Sequence, residues 1–114
     1  MADCLFCGIV SGKIPADFVY RDESVLAFRD IDPKAPVHLL IIPRQHIADV
    51  TELGEDGGAT IGHAMKVARQ LAQENGVSES GFRIVVNTGS DAGQSVHHIH
   101  LHLLGGRALA WPPG

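Results

Sequence analysis

The chain has 114 residues, 45% of them hydrophobic and 19% charged, which points to one domain over residues 1–114 built round a single core. Its net charge of -4, with no cluster of Lys or Arg, excludes the positive patch that duplex nucleic acid demands. No apolar run approaches membrane-spanning length, and the start carries Asp3 where a signal peptide needs basic residues, so a cytoplasmic protein is expected.

In chain order, residues 6–11 read as a short helix, and Phe18–Arg21 and 25–30 as strands separated by a polar turn at Asp22 and Glu23. A third strand over 38–42 is closed by Pro43. Between Gly58 and Asn75, the residues Ile61, Ala64, Met65, Ala68, Leu71 and Ala72 recur at three- and four-residue steps, which predicts a long helix ended by Asn75-Gly76. Residues 82–87 and 96–104 supply the last two strands. Strands dominate, with one long helix, so the expected class is α+β on an antiparallel sheet.

The last strand carries the chemistry. His98, His100 and His102 alternate with Ile99, Leu101 and Leu103, and a period of two places three imidazoles on one face, about 6.6 Å apart in steps of two residues. Imidazole switches between base, nucleophile and proton donor near neutral pH. Two other readings stand beside this one. Surface histidines fit poorly with an aliphatic opposite face, and a His-x-His metal pair lacks a following carboxylate in the strand. The preceding loop, Asn87-Thr88-Gly89-Ser90-Asp91-Ala92-Gly93-Gln94-Ser95, is rich in glycine and neutral donors. Such a loop is either a plain connection or an oxyanion cradle, and three adjacent imidazoles favour the cradle.

The run His98 to Leu104 matches the pattern His, hydrophobic, His, hydrophobic, His, two hydrophobics, and so resembles the histidine triad (HIT) family. Ile14-Pro15-Ala16, the stretch Leu26 to Pro33, the Ile41 to Ile47 segment, Gly93-Gln94-Ser95-Val96 and the ending Trp111-Pro112-Pro113-Gly114 are similar to its HINT branch, the histidine triad nucleotide-binding proteins. The resemblance implies a five-stranded sheet with one long and one short helix, the sheet extended across a homodimer. It implies His100 as nucleophile, His102 as donor to phosphate or leaving group, His98 and His38 as orienting imidazoles, Ser95, Gln94 and Asn87 holding the phosphate and leaving group, and Gly93 beside them in the substrate site. Asp30 would hold the ribose hydroxyls. Phe6, Ile14, Phe28 and Ile31 would form the base slot, although core packing is the better account of such residues without the resemblance. Trp111 would reach the partner subunit's site.

The Cys4-x-x-Cys7 pair stands outside any βαβ unit, which argues against a redox motif and leaves zinc or two free thiols. The resemblance supplies two further ligands, His46 and His98, completing a closed Cys2His2 set of the structural kind. No catalytic metal is implied. The implied reaction is hydrolysis of the phosphorus-nitrogen bond of purine nucleoside 5′-phosphoramidates, with aminoacyl-adenylates as further substrates, through a nucleotidyl-histidine that releases AMP or GMP. A dinucleoside polyphosphate hydrolase and a non-catalytic nucleotide- or zinc-binding module are the alternatives. His97 is expected on the face opposite the triad, and His63, in the long helix, is expected to face solvent.

Overall fold

A computed structural model describes residues 4–114, so Asp3 lies outside the described residues. Helix α1 spans Leu5–Ser11, capped at its start by the Cys4 thiol, which accepts from the Cys7 amide at 3.3 Å, and ended by Gly12 in the left-handed conformation. Strands β1 (Phe18–Arg21), β2 (Val25–Arg29) and β3 (Val37–Pro43) follow, then helix α2 (Glu55–Glu74), β4 (Phe82–Val85) and β5 (Leu101–Gly105). The five strands form one antiparallel sheet, as expected, and their order is β1-β2-β3-β5-β4.

The sheet separates two apolar layers. On one face Val25, Ala27, Leu39, Ile41, Leu101 and Leu103 meet Ala64, Val67, Ala68, Leu71 and Ala72 of α2, all buried. The alanines let the helix lie close to the strands, and truncating a buried leucine such as Leu103 to Ala would cost about 2–5 kcal/mol. Met65 departs from the expected stripe and is exposed, its place taken by Val67. Helix α2 also begins three residues before Gly58, where Glu55 and Asp56 suit the positive end of its dipole.

On the opposite face Leu26, Phe28, Leu40 and Ile42 pack beneath Phe6 and Ile9 of α1. Gly8 lets Ile14 fold back against α1, because a Cβ there would meet Ile14 Cδ1 at 2.5 Å. Gly106 is equally constrained, with a φ of +91° and Pro36 Cβ 2.9 Å from where its own Cβ would stand. His63 does not simply face solvent: it is half-buried and bonds Asp22 Oδ2 at 2.7 Å, tying α2 to the β1–β2 turn. Burial works against ionisation of Asp22, but bonds from Tyr20, His63 and the Val25 and Ser24 amides win and hold its carboxyl well below the usual range.

The last strand does not run from 96 to 104, because its ladder with β3 starts at Leu101 opposite Ile41. Before that point the Ile99 amide donates to Ile47 O at 2.6 Å, beyond the end of β3 at Pro43, and the chain bends over 96–98. Only His102 of the three imidazoles therefore stands on a paired strand.

Candidate active site

All three triad histidines nonetheless lie on the α1 side of the sheet. Phe6 meets the rings of His98 and His100 edge-on, with centroids 6.0 and 5.0 Å away, and the His100 and His102 rings are 4.9 Å apart. That spacing is tighter than a regular strand gives, and the bend before Leu101 accounts for it. The three rings face different partners.

His98 is fully buried. Its Nε2 donates to Pro43 O at 2.8 Å, which leaves Nδ1 as a bare lone pair. That nitrogen lies 3.5 Å from Cys4 Sγ and 3.6 Å from Cys7 Sγ, while His46 Nδ1 lies 3.3 Å from Cys7 Sγ. Tetrahedral zinc, with bonds of about 2.3 Å to sulfur and about 2.0 Å to nitrogen, sets sulfur-nitrogen edges of about 3.5 Å. The four ligand atoms thus fit the outline of a closed metal site. Burial and the neighbouring Cys4 push the Cys7 thiol up, an effect that a bound cation reverses.

His100 is buried, and its Nδ1 donates to the carbonyl oxygen of His98 at 2.7 Å. The hydrogen is therefore on Nδ1, and Nε2 keeps the nucleophilic lone pair. His38, also buried, stands on β3, where Leu40 rather than His38 is the direct partner of His102. The diagonal offset brings His38 Nε2 to 2.9 Å from His102 Nδ1 and 3.4 Å from Asp30 Oδ2. Because the Lys34 amide donates to His38 Nδ1 at 3.0 Å, Nε2 of His38 carries its hydrogen and donates onward to His102. His102 consequently presents an Nε2 hydrogen of its own.

All four rings are easier to keep neutral than free imidazole. Burial lowers His38, His98 and His100, and burial together with the facing His100 and His38 rings brings His102 down to about 4. Asp30, which bonds the Asp32 amide through Oδ1, stands at the edge of the group.

Phe6, Ile9, Ile14, Phe28, Leu40 and Val96 enclose a mostly apolar cavity of about 280 Å³, with Asp30, Ser95, His100 and His102 at its polar end. Ile31 lines it too but is fully exposed, so it forms the rim rather than the floor. A flat ring fits between the apolar walls, a diol fits at the carboxylate, and an anion fits against the imidazoles.

The loop groups expected at the phosphate and leaving group take different places. Gln94 is buried and its side chain is spent inside the protein, Oε1 accepting from Gly89 N and Nε2 donating to Ala48 O and Val96 O. It braces the loop rather than offering its amide to a ligand. Gly93 turns that loop with a φ of +82°. Asn87 lines a second cavity, on the far side of His102. Trp111 is 80% exposed, and Arg83 Nη2 holds the tail through Ala110 O at 2.9 Å. His97 is exposed, beside Cys4 and His46. Sequence reading missed the orienting groups Pro43 O and Lys34 N, since main-chain atoms leave no signature in residue type.

The family model described as HIT domain matches residues 11–109 of this chain. A HIT-like protein of Synechococcus elongatus is 50% identical over 98% of this chain and 97% of its own length. Among solved structures, a HIT family hydrolase from Legionella pneumophila is 53% identical with a TM-score of 0.95, covering 98% of this chain and all of the other. A HIT family hydrolase from Clostridium thermocellum is 43% identical with a TM-score of 0.93, covering 96% of each chain.

Proposed function

The chain belongs to the HIT domain family, and from that premise we propose that it is a nucleotide hydrolase that cleaves the phosphorus-nitrogen bond of purine nucleoside 5′-phosphoramidates. The observation that carries this reading is the tautomer of His100, whose Nδ1 hydrogen is engaged by His98 O while the ring lines the cavity. A neutral imidazole held so is a prepared nucleophile.

The base enters between Phe6, Ile14 and Phe28, and Asp30 accepts from the ribose hydroxyls, which brings the α-phosphorus to His100. The Nε2 lone pair attacks phosphorus as the phosphorus-nitrogen bond breaks, and the departing nitrogen leaves with the bonding pair. The anionic phosphate raises the proton affinity of the His38–His102 pair, and a proton held there passes through His102 Nε2 to the leaving amine. Ser95, at the polar end of the cavity, donates to a phosphate oxygen. Water then attacks the nucleotidyl-histidine, giving a proton to His102 Nε2 as the phosphorus-nitrogen bond breaks, and AMP or GMP leaves with His100 and the His38–His102 pair restored.

Cys4, Cys7, His46 and His98 hold zinc in this reading. Bound there, it supplies a cross-link between α1 and the segment that carries the triad, with no part in the displacement. The protein acts as a cytoplasmic homodimer whose sheets join along a free edge, which β1 and β4 offer.

A kinetic panel tests the reading. Adenosine 5′-phosphoramidate should be turned over with a far higher kcat/KM than diadenosine tetraphosphate, and aminoacyl-adenylates should also react. The reverse ranking would assign the chain to polyphosphates, and no turnover of any would leave a binding module.

A further inference from the structure

Across His102 from the nucleoside slot lies a second cavity of about 280 Å³, lined by Lys34, Arg83, Arg107 and Asn87 together with His38 and His102. We propose that this cavity is a subsite for an anionic leaving group, so that favoured substrates carry a carboxylate or a phosphate on the group that departs. The proposal rests on the hydrolase reading and names the substrate class within it.

Charge is the first argument. The chain is acidic, with a net charge of -4, yet three of its bases and no Asp or Glu line this cavity. Lys34 pairs with Asp32 at the surface. Neither arginine has a carboxylate within salt-bridge distance among the described residues. Their fixed partners are main-chain carbonyls: Arg107 donates through Nε and Nη2 to Lys34 O at 3.1 and 2.9 Å and through Nη1 to Ala108 O, and Arg83 donates to Ala110 O. Carbonyl contacts hold the guanidinium planes in place without cancelling their charge, and each arginine keeps unused N–H groups.

Position is the second argument. The group displaced from phosphorus departs opposite the attacking atom. His100 lines only the apolar slot, whereas His102 lines both cavities. A nucleoside in the slot with its phosphorus at His100 therefore directs the departing group past His102, the proposed proton donor, toward the arginines. Asn87 adds a neutral donor there, on the leaving-group side of the role the resemblance implies for it.

The test compares three adenosine 5′-phosphoramidates, made from β-alanine, from its uncharged amide, and from aminoethylphosphonate. The carboxylate or the phosphonate should exceed the amide in kcat/KM by about tenfold or more, and the preferred acid identifies the anion type. Added salt should shrink the ratio, since exposed charges are screened. Arg83→Gln and Lys34→Gln should each shrink the ratio of acid to amide, and two variants guard against one that folds poorly. Amide turnover equal to or above both acids, or ratios unchanged in both variants, would overturn the subsite while leaving the hydrolase reading intact. Inertness of all three compounds would remove that reading, and the subsite with it.

Discussion

His38 donates from Nε2 to Nδ1 of His102 across 2.9 Å, and the direction of that bond is set by the Lys34 amide on the other nitrogen of His38. Both rings are lowered by burial, His102 to about 4, while Asp30 lies 3.4 Å from His38. An arriving phosphate raises their proton affinity, so binding takes up protons. Affinity is then greatest below the pKa of the free pair, falls by up to about tenfold per unit for one coupled proton as pH rises from the free to the ligand-bound pKa, and levels off above the latter. Calorimetry with the methyl ester of AMP, whose single charge stays constant, should show proton uptake near neutral pH in buffers of different ionisation heat. Binding without proton exchange would contradict this.

Replacing His100 with Ala removes the lone pair and leaves the apolar walls Phe6, Ile14 and Phe28 in place. Turnover should fall by more than about a thousandfold, while AMP affinity stays within about tenfold of the original. Activity retained within tenfold would reject His100 as nucleophile.

The Cys4, Cys7, His46 and His98 group should carry about one zinc per chain. Cys4→Ala should lose the metal and lower the melting temperature, since it also removes the cap of α1. Chelation should affect the chemical step far less than His100→Ala does. A metal-free protein with two titratable thiols and unchanged melting would refute the site.

Truncation after Arg107 removes Leu109 and Pro113 from the cavity beside Arg83, and Trp111 with them. Relative kcat/KM among phosphoramidates with different amines should change, with base preference nearly constant. Trp111, exposed within one chain, is expected to act on the partner subunit's site. Equal effects on every substrate, or none, would show that the tail is not part of the site.

The alternation from His98 to Leu104 and the apolar periodicity of α2 made the sheet, the helix and the triad readable, because burial of one face leaves a periodic trace. The start of β5 was not readable. Residues 96–100 have strand-like alternation, yet their partners are Ile47 O and Pro43 O rather than a neighbouring strand, and pairing of that kind is fixed only by the tertiary fold. Gln94 misled for a related reason: an amide in a Gly-rich loop suits a ligand or a brace equally, and three internal bonds decide for the brace. The basic cavity escaped notice because Lys34, Arg83 and Arg107 are far apart in sequence and only the fold gathers them.

The central claim is a double displacement through His100, and the configuration at phosphorus tests it most directly. A single diastereomer of an adenosine 5′-phosphoramidate bearing sulfur on the α-phosphorus is hydrolysed in water labelled with heavy oxygen, and the labelled product is assigned. Two successive in-line displacements, first by His100 and then by water, give net retention. Inversion would mean that water attacks the substrate directly and that no nucleotidyl-histidine lies on the path.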